Sequence, residues 1–143
     1  MLRTYLLGAA RGLARVYWYR YDWGRIAGGG TLGNTLLTDP DDWTQVTPAG
    51  LALHTAERWL RGRLVARPGH RRPCDHNRAG TYRCIVRHGD QVRRILWNPH
   101  HTVRVRIDGA LSRENQRGRR TTMTGGTTTV EVDYRPVMVN VRA

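Results

Sequence analysis

Apolar side chains recur at Leu2, Leu6, Leu7, Ala10 and Leu13. That three- and four-residue spacing marks one face of a helix, and Gly12 supplies a stop. From Arg15 to Trp23 the pattern becomes an aromatic, β-prone run, which predicts a strand. Residues 24–38, with Gly28-Gly29-Gly30, carry no period and read as a loop. A second helix is predicted from Thr47, whose hydroxyl suits the N-cap, with Pro48 in the first turn. Its apolar stripe is Leu51, Ala52, Thr55, Ala56, Trp59 and Leu60, and Gly62 ends it.

Beyond a basic linker, Arg67 to Pro73, the period changes to two. Tyr82, Cys84 and Val86 alternate with Arg83, Ile85 and Arg87; Gly89-Asp90 makes a turn; Arg93 to Trp97 returns. Val103, Val105 and Ile107 form another alternating run, and Thr127–Asp133 and Pro136–Val141 give two more strands. The chain therefore reads as α+β. It runs helix–strand–loop–helix over residues 1–66, then an antiparallel β module of sandwich type over residues 67–143.

Composition changes this picture little. The formal net charge is +13, and all 24 basic residues are arginine. Lysine and phenylalanine, both encoded by AT-rich codons, are absent, so a GC-rich coding sequence accounts for much of the bias. The arginines are scattered from Arg3 to Arg142 and not gathered on one tail, which disfavours nucleic acid as the partner. Basic charge still attracts polyanions, and an Arg-rich polyanion-binding module stays open as the rival reading. No run of ~18 apolar residues exists to span a membrane. Residues 1–12 have the rough outline of a signal peptide, but Gly8 and Arg11 interrupt the apolar run too early, so they read as a helix and localisation stays unknown.

Cys74 and Cys84 bracket a short loop, which fits one disulfide of an exported protein or two buried free thiols. Together with His76 and His88 they are also the right residue types for zinc. One residue between Cys74 and His76 is poor ligand spacing, however, so no metal site is expected. His54, His100 and His101 read as solvent-facing. Gly28-Gly29-Gly30 is followed by no Gly-Lys-Ser/Thr, and no cofactor is implied. Arg113, Asn115, Gln116, Arg117, Arg119 and Arg120 read as a solvated loop, because no aromatic lies between Trp97 and Tyr134 to stack a base.

Taken in order, five pieces form a pattern: RTYLLGAARGLARVYWYRYDW (Arg3–Trp23), TPAGLALHTAERWLRG (Thr47–Gly62), C-x9-C (Cys74–Cys84), ILWN (Ile95–Asn98) and RPVMV (Arg135–Val139). Their order and spacing resemble the C-terminal end of secreted, actinobacterial-type clan A glycoside hydrolases, nearest the family 39-like and cellulase-like bacterial enzymes. The resemblance implies that residues 1–66 are the seventh helix, eighth strand and eighth helix of a (β/α)8 barrel. Residues 67–143 would be the small C-terminal β-sandwich that buttresses it. It also implies a polysaccharide or oligosaccharide ligand.

In that family two glutamates do the hydrolysis, as general acid/base and as nucleophile, and both precede the matching segment. Only Glu57, Glu114 and Glu131 occur here, and none matches a catalytic motif. No catalytic residue is assigned, and the chain is expected to be inactive alone. Active sites of such barrels lie at the C-terminal ends of strands. Tyr21, Asp22 and Trp23, with Trp18, are therefore the expected sugar contacts; simple core packing of the same aromatics is the plainer alternative. Without a barrel, the apolar faces of both helices would be partly uncovered. That predicts a barrel-bearing partner chain or self-association.

Overall fold

The computed structural model describes residues 2–17, 37–39, 42 and 44–142. Two helices, α1 (Leu2–Ala10) and α2 (Pro48–Leu60), precede nine strands. These are β1 (Arg63–Leu64), β2 (Cys74–His76), β3 (Tyr82–His88), β4 (Gln91–Trp97), β5 (Val103–Ile107), β6 (Ala110–Asn115), β7 (Arg120–Thr122), β8 (Thr128–Val132) and β9 (Val137–Val141).

Both helices stop and start as their sequence dictates. At the end of α1, Gly12 takes φ 76°, Leu13 N donates to Gly8 O and Gly12 N donates to Ala9 O, the paired bonds of a Schellman cap. Thr47 caps α2, its Oγ1 accepting from Gly50 N at 3.1 Å, with Pro48 directly after it. At the other end Gly62 has φ 124°, and a Cβ there would lie 2.2 Å from Arg87 O. Only glycine lets the chain turn out of α2 and run at once against β3, where Arg63 pairs with Arg87.

Seven strands form one antiparallel sheet in the order β1-β3-β4-β9-β6-β7, with β2 on the same edge of β3 as β1; β5 and β8 form a second, two-stranded sheet. Alternation divides the larger sheet into two faces. Cys84, Val86, Ile95, Trp97 and Met138 point to one side, where they pack with Leu2, Leu6, Ala56 and Trp59 of the helices. Leu96, Val139 and Val141 point to the other, against Ile107, Val130 and Val132 of the small sheet. The architecture is α+β and sandwich-like, but three layers deep: helices, large sheet, small sheet. Full burial of a side chain such as Leu6 or Ile95 contributes about 1.5–3 kcal/mol, and Trp59, 1% exposed, is the largest such anchor on the helix side.

Part of the apolar face of α1 and α2 is covered within the chain, Leu2, Leu6, Ala56 and Trp59 resting on the sheet, while Leu51 stays 39% exposed and Leu13 60%. Several expectations need correction. Arg15–Tyr17 form no strand, and Tyr17 is exposed; the rest of the predicted strand lies outside the described residues. The basic linker is pinned, because Arg67 Nη2 and His70 Nδ1 both reach Asp75 Oδ2, at 2.7 and 2.5 Å. The Arg-rich "loop" is a hairpin of β6 and β7 turning at residues 116–119. Its inward positions are Ala110, Ser112 and Glu114, so polar side chains hid the alternation.

Candidate functional site

The four expected sugar contacts, Trp18, Tyr21, Asp22 and Trp23, lie outside the described residues. Cys74 and Cys84 are directly opposite one another in the β2–β3 register and are disulfide-bonded, with Cα atoms 4.1 Å apart. That is just under the ~4.4–6.8 Å usual for the bond. The bond consumes both sulfurs as thiolate ligands. Among the described residues no group of three or more His, Cys, Asp or Glu is placed to hold a metal ion. His100 and His101 are exposed, as read from the sequence.

The joint between helix and sheet centres on Glu114. It sits inward on β6, 8% exposed. One carboxylate oxygen accepts from Trp59 Nε1 at 3.0 Å and from Arg58 Nη2. Two consecutive α2 residues thus converge on one acid of a strand more than fifty positions away. Arg93 of β4 closes the same joint, its Nη1 donating to Arg58 O at 2.9 Å and Arg61 O at 3.1 Å. These are carbonyls at the C-terminal end of α2, where a cation is favoured. Sequence reading missed Glu114 because no local pattern announces an ion pair at such separation.

One open surface on the strands lies between the β6–β7 hairpin and the β8–β9 turn. It is a cleft of about 610 Å³, lined by Arg113, Gln116, Arg117, Arg119, Glu131 and Tyr134 among others. Tyr134 is 57% exposed, and the Arg135 guanidinium lies 5.2 Å from its ring centroid. Arg135 in turn is held by Asp133, its Nε and Nη2 donating to Oδ2 at 2.9 and 2.5 Å. Those donations keep the Asp133 carboxyl below the usual carboxylate range. The aromatic that the hairpin arginines lacked in sequence is therefore supplied in space by the adjacent turn. An exposed ring flanked by guanidinium, amide and carboxylate groups can hold the C–H face of a sugar while hydrogen-bonding its hydroxyls.

No protein-family model matches this chain, and no curated protein matches it. Among solved structures it is similar to a GH30 endoxylanase from Clostridium papyrosolvens C71, with 13% sequence identity and a TM-score of 0.47 over 76% of this chain and 32% of that one. The chain spans about a third of the length of that structure. A likeness at that level carries nothing about activity.

Proposed function

We propose that this chain is the C-terminal part of a clan A glycoside hydrolase of the family 39-like type. Residues 1–66 are the end of its barrel, and residues 67–143 are the β-sandwich that supports it. The order and spacing of the five sequence pieces support the reading. The observation that carries it is the fused joint: α2 (Pro48–Leu60) leads through Arg61 and Gly62 into β1 and shares its core, through Trp59 and Glu114, with the sheet. A sandwich that buttresses a barrel needs such a rigid seam to its last helix.

On this reading the family's two catalytic glutamates are not supplied by this chain, whose only glutamates are Glu57, Glu114 and Glu131. Trp18, Tyr21, Asp22 and Trp23 contribute a sugar subsite, a barrel-bearing segment is the natural partner, and the disulfide suits export. The chain alone contacts carbohydrate without cleaving it. The rival reading, an Arg-rich polyanion binder, is favoured by one observation, the grouping of Arg113, Arg117 and Arg119 beside Tyr134.

The test is a sensitive aryl-β-glycoside and β-glucan assay of the purified chain beside Asp22→Asn. The reading expects no product above the blank from either protein, and weak retention of neutral xylo- or gluco-oligosaccharides. Product formed by the wild type and lost in Asp22→Asn would overturn it and make Asp22 catalytic.

A further inference from the structure

The face of the large sheet that carries the helices is not apolar throughout. Next to the row of Cys84, Ile95 and Met138 runs a polar one: Arg93 pairs with Asn140, and Asn140 pairs with Ser112. Here the C-terminal end of α2 leaves an open pocket of about 600 Å³, within the ~300–1,000 Å³ range of ligand sites. Five arginines line it, Arg58, Arg61, Arg93, Arg120 and Arg142, against two carboxylates, Asp90 and Glu114.

These arginines are not equivalent. Arg58 is spent on Glu114. Arg93 is anchored on the two helix-end carbonyls. Burial holds its pKa below the ordinary value; Glu114 opposes that, and the nearby charges of Arg120 and Arg61 add to it. The guanidinium stays protonated throughout. Arg120 is fixed at its root, Nε donating to Ser112 Oγ at 3.2 Å, which also accepts from Asn140 Nδ2 at 2.8 Å. Among the described residues no acceptor pairs with its Nη ends. Arg61, Arg120 and Arg142 make no ion pair with a described residue.

We propose that this pocket, between the end of α2 and the β4–β9–β6 face, is a binding site for the oxyanion of an acidic sugar chain, a uronate carboxylate. Guanidinium forks match a planar carboxylate in two parallel hydrogen bonds, and Arg61, Arg120 and Arg142 present theirs to solvent at the pocket's rim. Asn140 and Gln91 supply the neutral groups that sugar hydroxyls need. A nucleic acid fits less well: of the two aromatic rings in the lining, Trp59 is 1% exposed and offers no face for a base, which leaves the His88 imidazole as a lone stacking surface. The oxyanion site stands on its own geometry, while the choice of a sugar as carrier rests on the glycoside-hydrolase reading.

Calorimetric titration of the full chain at low ionic strength tests this with four probes: trigalacturonate, neutral xylotriose, inorganic phosphate and an oligothymidylate. Trigalacturonate should bind at least ~10-fold more tightly than xylotriose, and the difference should shrink as salt is raised. Arg120→Ala and Arg142→Ala, each checked for a native circular-dichroism spectrum, should each weaken it roughly 5–10-fold. Glu114→Gln, which removes a competing carboxylate, should tighten it. Equal binding of the uronate and the neutral sugar, or uronate binding unchanged in both arginine variants, overturns the site. Phosphate or oligothymidylate binding there in preference to the uronate overturns the acidic-sugar assignment and leaves the glycoside-hydrolase reading standing.

Discussion

Removing the Glu114 carboxylate should loosen the whole helix layer. Glu114→Ala leaves Trp59 Nε1 buried at 1% exposure without its acceptor, a loss of about 1–3 kcal/mol. It also strips Arg58 of its partner. Breaking a fully buried pair costs about 3–5 kcal/mol, but the Arg58 side chain is 36% exposed and can recover water, so its share is nearer the ~1 kcal/mol of a surface pair. Together these give about 2–4 kcal/mol, or a fall in Tm of roughly 8–16 °C for a domain of this size. Glu114→Gln keeps an oxygen for Trp59 and loses only the charge, so about 1 kcal/mol is expected. Glu131→Ala, on the exposed face of β8, should stay within ~0.5 kcal/mol. Urea titrations of the four proteins, followed by circular dichroism, read these differences as midpoint shifts. A Glu114→Ala midpoint within ~0.5 kcal/mol of wild type would refute the claim that this acid pins α2 to the sheet.

Other consequences follow from single features. Reducing and alkylating Cys74–Cys84, which closes a separation of 10 residues, should lower stability by roughly 2.5–3 kcal/mol in the same titration. Gly62→Ala should cost more than ~1 kcal/mol, because φ 124° and the Arg87 carbonyl both exclude a side chain; full expression and an unchanged Tm would contradict the seam described between α2 and β3. Asp133, whose pKa is depressed chiefly by hydrogen bonds from Arg135, adds stability that is present above its unfolded value near ~3.9 and lost as pH falls through its lower folded value. Asp133→Asn should therefore flatten the acid limb of a stability–pH curve and change the neutral end less.

Much of the fold was legible because it obeys local rules. Thr47-Pro48 and Gly62 bracket α2, and Cys84, Val86, Ile95 and Trp97 announce a sheet through strict alternation. β6 escaped for a physical reason: its inward side chains, Ser112 and Glu114, are polar, so its alternation carries no hydrophobic signal. The layer order escaped as well, since no local pattern says that Leu6 and Trp59 pack on the face of the sheet that carries Cys84 and Ile95. The clefts illustrate the same limit. Tyr134 is far from Arg117 in sequence and shares its cleft only because β9 returns between β4 and β6. The Arg120 pocket likewise depends on strand order, which arginine spacing alone does not reveal.

The sequence of the coding region joined to residue 1 on its upstream side tests the central claim most directly. If the chain is the end of a clan A glycoside hydrolase, that region encodes repeating strand–helix units with two glutamates at strand ends, the acid/base and the nucleophile. An upstream region with no strand–helix periodicity and no such pair of glutamates would contradict the account.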